Sequence, residues 1–187
     1  RELWLKNRDA NNSRPMLYTF HNVVSKTQGF TIGTTPFCDS YKRKKKVVSV
    51  SMNRQNVESY SPFIDVENRN MFRRIEELLE GQQNPLHRPD VDLFKLFQGF
   101  VLRVSLFLTY GYLVKVEHSR GCYLFDEISH VENRIVRLRG HSSNLQDYLP
   151  LLRYLPFSAK KKQANDFRKR RDIYMNKFIN DFKGKFN

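Results

Sequence analysis

The segment that most constrains the fold is a long apolar run over residues 93–113, LFKLFQGFVLRVSLFLTYGYL. Its apolar side chains cover nearly the whole circumference of a helix, and Asp92 is placed to cap the first turn. Such a helix either crosses a membrane or lies at the centre of a protein. Lys95, Gln98 and Arg103 interrupt the run too closely for a membrane span, so we expect a buried central helix.

Helical periodicity and stop signals also organise the rest of the chain. Leu124, Ile128, Val131, Ile135 and Leu138 follow one helix face closely. We predict helices over residues 1–10, 39–52, 65–81, 92–113, 123–139 and 158–183, a loop over 16–36 and a connection over 140–156. Short strands are possible only around Phe30 to Ile32. With 187 residues, the sequence predicts one mainly α domain with a sizeable core.

The ends and faces of three helices can also be predicted. Asp39 or Ser40 is a suitable N-cap for the second helix, and Asp65 for the third. In the last helix, one face carries four apolar side chains, namely Met175, Ile179, Phe182 and Phe186.

The chain is strongly basic, with a formal net charge of +14. Half of this excess lies between Ser158 and Asn187, where ten Lys and Arg stand against three Asp. Such a charge favours an acidic partner: nucleic acid, an anionic membrane or an acidic protein face. Cys38 and Cys122 form neither a disulfide framework nor a metal-binding spacing, which fits a reducing compartment.

A run of five cations, Lys42 to Lys46, enters an apolar helical pattern in QGFTIGTTPFCDSYKRKKKVVSVSMN. On a helix that begins near Asp39, Tyr41, Lys45, Val48 and Met52 share one face. Lys45 is then in line with residues that we expect to be buried. Either its stem passes these neighbours and its ammonium reaches water, or Tyr41 and Lys45 hold a buried anion, a carboxylate or a phosphate.

Several segments resemble the fungal cytochrome P-450 monooxygenases, closest to the phenylacetate-hydroxylase type. They are SRPMLYTFHNVVSKTQGFTIGTTPFCDSYKRKKKVVSVSMNR, then SPFIDVENRNMF, then FDEISHVENRIVRLRGHSSNLQDYLPLLRYLP. The resemblance covers nearly the whole chain and implies an α-rich fold that holds a haem. In the family's lettering it corresponds to helices B to G of a single, truncated domain.

The resemblance implies a role for the basic run. The family commonly places a Trp and, four residues later, an Arg on helix C, where both bind a haem propionate. Tyr41 and Lys45 stand at these positions, and Lys lacks the planar fork of Arg. His21 is read either as a second propionate donor or as an ordinary loop histidine. The outward cations Arg43, Lys44 and Lys46 resemble the face that docks an acidic electron-transfer partner, although a solvated face explains them equally well.

Other roles follow from the position of whole segments. The loop, with Phe20, Phe30 and Ile32, resembles the wall over the substrate pocket. The connection over 141–154, with Leu145, resembles the lid of the substrate channel. The basic last helix could rest on an anionic membrane. The parent enzyme is expected on the cytosolic face of the endoplasmic reticulum membrane.

The resemblance implies an enzyme that hydroxylates a small organic substrate with O2 and electrons from an NADPH-dependent reductase; the nearest type suggests an aromatic acid. The family's haem-ligating pattern, Phe-x-x-Gly-x-x-x-Cys-x-Gly, surrounds neither Cys38 nor Cys122. We therefore expect this chain alone to be inactive. The first residues already read as a helix, so we expect both ends to be cuts, and we expect poor solubility because helices B to G would lack the rest of the domain and the haem on which they pack. The alternative from another class is a basic helical nucleic-acid-binding or interaction protein.

Overall fold

The computed structural model describes residues 2–6, 13–80, 91–114, 123–140, 144–154 and 159–185. The α-helices of this part of the chain are α1 (Glu2–Lys6), α2 (Asp39–Ser51), α3 (Arg54–Glu80), α4 (Leu93–Tyr110), α5 (Tyr123–Leu138) and α6 (Ala159–Gly184). A π-helical turn spans Tyr18–Val24, and two 3-10 helices span Leu145–Asp147 and Pro150–Tyr154. None of the described residues forms a strand, which confirms the mainly α fold class.

Helix α3 begins well before the predicted start. It runs from Arg54 through Pro62, which places Asp65 inside the helix and not at its N-cap. Proline is favoured in the first turn of a helix and disfavoured in its interior, so nothing in the sequence indicated a helix that continues through Pro62. Pro62 has no N–H for the carbonyl of Glu58, one turn earlier. Because Pro62 is exposed, water can take the place of that hydrogen bond.

The ends of α4 and the start of α2 show how local sequence signals worked. Asp92 accepts a hydrogen bond from the Lys95 backbone N–H at 3.1 Å, which confirms the predicted N-cap. Gly111 ends α4 with a φ of 61°, a left-handed conformation that favours glycine. At α2, however, the N-cap is Cys38, whose backbone is extended, so the predicted caps Asp39 and Ser40 already lie in the first turn.

The chain divides into two compact units, and one of them consists of Arg54–Ser129 and Asn176–Asn187. Within it, α3 packs against α4, with Phe63 and Phe107 stacked at 3.9 Å between ring centroids. The Arg103 guanidinium forms hydrogen bonds with both carboxylate oxygens of buried Glu67, at 2.6 and 2.9 Å. It also donates to the carbonyl of Val114 at 2.6 Å. These three hydrogen bonds hold Arg103, a charged residue of the apolar helix α4, against Glu67 of α3.

Helix α4 is less buried than the sequence predicted. Leu96, Gly99 and Leu106 are buried, whereas Phe94 and Val101 are 70% and 58% exposed. The described residues of its unit cover only part of its circumference. Length and composition alone would allow Leu93–Tyr110 to cross a membrane, a test that the core helix of a soluble protein also passes.

The second unit consists of Arg1–Asn53 and His130–Met175. Its core joins the π-helical turn to the stripe of α5 that the sequence predicted and to α6. The buried apolar side chains of this unit are Phe20, Val23, Val24, Val131, Ile135, Leu138, Ala164, Phe167 and Tyr174. Residues 7–12 lie outside the described chain, as do Cys122, residues 141–143 and Phe186.

Candidate cofactor-contact site

The loop that was predicted as a pocket wall contacts the connection that was predicted as a lid. The Thr19 backbone N–H donates to Oδ1 of Asp147 at 2.6 Å. The side-chain amide of Gln146 donates to the Thr19 hydroxyl at 2.7 Å. Thr19 and Gln146 are both buried, so these hydrogen bonds are shielded from water. Both contacts lie within one unit and join positions that are far apart in the sequence.

Two arginines of α6 hold the C-terminal end of the π-helical turn. Arg171 is buried and donates to the carbonyl of Val24 at 2.7 Å, and Arg168 donates to the carbonyl of Val23 at 3.2 Å. These carbonyls lie at a helix end, where cationic donors are stabilising. The basic run from Arg168 to Arg171 thus uses two of its guanidiniums inside the protein, which weakens the argument for a nucleic-acid surface.

Both ring nitrogens of His21 are engaged by the backbone. Nε2 lies 2.9 Å from the carbonyl oxygen of Thr34, and Nδ1 lies 2.9 Å from the backbone nitrogen and 3.0 Å from the carbonyl oxygen of Leu17. The imidazole is buried, and the Phe30 ring meets it edge to face at 4.8 Å. A haem propionate would have to displace one of these backbone contacts in order to bind the ring. The ring joins the backbone of Leu17 to that of Thr34, so an ordinary loop histidine is the better interpretation.

The predicted pocket residues differ in their surroundings. Phe20 is buried, with the Arg139 guanidinium 5.2 Å from its ring centroid, so in this structure it belongs to the core and not to an open wall. Phe30 and Ile32 are half-buried on the loop. Leu145 is 66% exposed at the start of the 3-10 helix. Of the four predicted pocket residues, Phe30, Ile32 and Leu145 therefore present surface that a ligand could touch, and Phe20 does not.

Tyr41 and Lys45 lie one turn apart on α2. Tyr41 is half-buried, with its ring tilted against Phe37 at 5.8 Å. Lys45 is exposed and makes no hydrogen bond or ion pair within the described residues. None of the residues of α2 is buried, so the expected inner face, with Val48 and Met52, is open in this part of the chain. A phenol and an ammonium on one face form a donor set that fits a carboxylate.

The neighbouring cations do not all point outward. Lys44 turns toward the loop, where its ammonium donates to the carbonyl of Phe30 at 2.7 Å and approaches the Thr35 hydroxyl at 3.3 Å. The prediction of an outward Lys44 is therefore wrong; a four-carbon stem can reach a loop carbonyl that sequence spacing does not reveal. Arg43 and Lys46 are exposed. Among the described residues, no group of three His, Cys, Asp or Glu could hold a metal ion.

The comparisons with known proteins identify similar chains. Phenylacetate 2-hydroxylase of Emericella nidulans is 41% identical over 175 residues, 94% of this chain and 32% of the relative. The 3-hydroxyphenylacetate 6-hydroxylase of the same organism is 38% identical over 179 residues, 96% of this chain and 33% of the relative. A cytochrome P-450 monooxygenase of Mycosarcoma maydis is 39% identical over 175 residues, 94% of this chain and 31% of the relative.

Neither a family model nor a solved structure matches the chain. The three relatives named above are enzymes, and nothing in the comparisons or the structure supports the nucleic-acid alternative. The resemblance seen in the sequence is confirmed along almost the entire chain. By sequence, this chain is a relative of the fungal cytochrome P-450 hydroxylases, and it spans about a third of the length of the relatives that it matches.

Proposed function

We propose that this chain is part of a haem-dependent monooxygenase that hydroxylates a small aromatic acid with O2 and electrons from a reductase. The observation that carries the proposal is the similarity of at least 94% of the chain to three fungal hydroxylases and monooxygenases. Two of these relatives are named for hydroxylation of a phenylacetate. The substrate class of the proposal follows from those names.

Within this proposal, Tyr41 and Lys45 bind a carboxylate of the cofactor. A thiolate-ligated haem supplies the activation of O2 in such enzymes. The contribution of this chain is to hold and orient the group: the Lys45 ammonium supplies charge, and the Tyr41 phenol supplies a hydrogen bond. Lys44 and His21 stabilise the adjacent loop, because both bind its backbone carbonyls.

The proposal also includes a reductase and a membrane. Arg43 and Lys46 are exposed on α2 and can attract an acidic electron-transfer partner. The half-buried Phe30 and Ile32 and the exposed Leu145 are the apolar residues that we assign to the substrate path. Location on the cytosolic face of the endoplasmic reticulum membrane completes the proposal.

Lys45→Ala tests the cofactor contact in the protein expressed from its complete gene. Loss of one solvent-accessible charged contact is expected to weaken haem retention roughly two- to fivefold. Lys45→Arg should retain haem at least as well as the natural protein, because guanidinium can bind a carboxylate at two points. The measurement is Soret absorbance per protein after dilution into a haem-binding competitor.

Lys42→Ala is the matched control for this experiment. Lys42 lies on the same helix, is exposed and pairs with Asp39 at 3.2 Å. Equal haem loss in the Lys42 and Lys45 variants would contradict the assigned contact. A complete protein that takes up no haem at all would contradict the proposed function itself.

A further inference from the structure

The loop segment over residues 30–35 carries both loop residues that we assign to the substrate path, and it forms a compact turn. The carbonyl of Thr31 accepts from the backbone N–H groups of Thr34 and Thr35 at 3.1 and 2.9 Å. The Thr35 hydroxyl donates to the same carbonyl at 2.7 Å, and Thr34 and Thr35 are both buried. Because these bonds converge on one carbonyl, the turn can shift as a unit more readily than it can deform.

The backbone that enters this turn does not by itself fix its position. Gly29 precedes Phe30 and has a φ of 71°, a left-handed conformation that favours glycine. A Cβ at Gly29 would meet no atom within 4 Å, so conformation and not packing explains the glycine. Glycine restricts the direction of the chain less than any other residue. The position of Phe30 is therefore set by its contacts.

Two contacts hold Phe30, one through its ring and one through its backbone. The ring meets the buried His21 imidazole edge to face at 4.8 Å. The carbonyl accepts from the Lys44 ammonium at 2.7 Å, a short, charge-assisted hydrogen bond from a half-buried side chain. The same ammonium lies 3.3 Å from the hydroxyl of Thr35, at the far end of the turn. Lys44 thus holds both ends of the turn on α2.

We propose that Lys44 is a positioning residue that sets the substrate wall relative to the cofactor and so determines which ring carbon is hydroxylated. The inference rests on the proposed function, in which the next residue, Lys45, binds a carboxylate of the cofactor. One helix, α2, then carries the cofactor contact and the support of Phe30 and Ile32. Small misplacements of reacting atoms have large effects on rate, and adjacent ring carbons are only one bond apart. A small shift of the turn is therefore enough to change the position of attack.

The ratio of product isomers tests this role in the protein expressed from its complete gene. Lys44→Met removes the ammonium and keeps most of the stem. The substrates are phenylacetate and 3-hydroxyphenylacetate, the acids in the names of two relatives. We expect the share of the minor ring-hydroxylated isomers to rise roughly fivefold. Loss of folded or haem-loaded protein lowers the total product but not this ratio, so a merely structural role would leave the ratio unchanged.

Two further variants and a second measurement connect the ratio to the contact. Lys44→Arg keeps a cationic donor and should restore the natural isomer ratio to within about twofold. Lys42→Met is the matched control, because Lys42 is exposed on the same helix and pairs with Asp39. Amide hydrogen exchange over residues 30–35 should be roughly fivefold faster in Lys44→Met and unchanged in Lys42→Met.

Each contrary result has a distinct meaning. An unchanged isomer ratio in a haem-loaded, active Lys44→Met enzyme overturns the inference and leaves the proposed function standing. An equal change of ratio in Lys42→Met, or a changed ratio without faster exchange over residues 30–35, also overturns it, since the contact with the turn would not be the cause. A natural protein that takes up no haem or hydroxylates neither acid contradicts the proposed function, and the role of Lys44 falls with it.

Discussion

At the scale of the residue, the contact between Glu67 and Arg103 shows how one charge can be kept inside a mainly apolar unit. Glu67 is 5% exposed, and Arg103 reaches both of its carboxylate oxygens and a backbone carbonyl. Burial of a carboxylate is costly unless it is paired and hydrogen-bonded. Removal of one partner should therefore be more damaging here than at the surface.

Glu67→Gln should lower the free energy of unfolding by about 2 kcal/mol, because the Arg103 guanidinium loses its counter-charge in a half-buried position. Glu58→Gln on the same helix removes an exposed pair with Arg54 and should cost less than about 0.5 kcal/mol. Urea unfolding of both variants measures the difference. Equal losses would show that the buried pair has no special role.

At the same scale, Lys44 and Lys45 show that neighbouring cations can have different surroundings. Lys44 binds the carbonyl of Phe30 and stabilises the loop. Lys45, one residue later, is exposed and available to an anion. A run of five cations therefore contains both structural and ligand-binding candidates. Only the contacts distinguish them.

At the scale of the element, α3 carries a proline in its interior. A proline there removes a backbone hydrogen bond and costs up to about 3 kcal/mol relative to alanine. Proline also restricts the unfolded chain, which offsets part of that cost. Helix α3 nevertheless continues from Arg54 to Glu80, because one face packs on α4.

Pro62→Ala should raise the free energy of unfolding by about 1–2 kcal/mol, since it restores the hydrogen bond to the Glu58 carbonyl. Ser61→Ala, at the preceding exposed position, should change stability by no more than about 0.5 kcal/mol. Denaturant titration of the two variants is the measurement. A loss of stability in Pro62→Ala would mean that the proline shapes a bend on which the packing depends.

At the scale of the whole molecule, large apolar side chains remain exposed. Besides Phe94 and Val101 on α4, the exposed set includes Phe97, Phe72, Leu151 and Ile173. Large exposed apolar surfaces mark binding sites or favour aggregation. The chain spans only about a third of the relatives that it matches. The exposed apolar surface and the short span both bear on how stable and soluble these 187 residues are when they are produced alone.

The isolated 187-residue chain should bind a hydrophobic dye such as ANS strongly and unfold without a sharp transition, because its apolar faces are incompletely covered. It should also show no hydroxylase activity. The comparison is the protein expressed from its complete gene, measured under the same conditions. A cooperative melt with well-dispersed NMR signals from the isolated chain would contradict the expectation.

The helices were predictable because their signals are local. In the predicted stripe of α5, Leu124 is half-buried and the other four residues, Ile128, Val131, Ile135 and Leu138, are buried. Asp92 and Gly111 end α4 through conformations and hydrogen bonds within one turn. Such signals act over a few residues, so the sequence by itself determined the mainly α class and the position of most helices.

Only the tertiary structure decided which helix faces are buried and which side chains make contacts between distant parts of the sequence. In α6, Met175 and Ile179 of the predicted stripe are half-buried and Phe182 is 39% exposed. The buried residues of this helix are instead Ala164, Phe167, Arg171, Tyr174 and Phe178. That spacing was present in the sequence, but a buried arginine in it hid the pattern. The hydrogen bond between Thr19 and Asp147 spans 128 residues. Helical period and caps carry no information over such a distance, which is why the pairing of loop and connection required the folded chain.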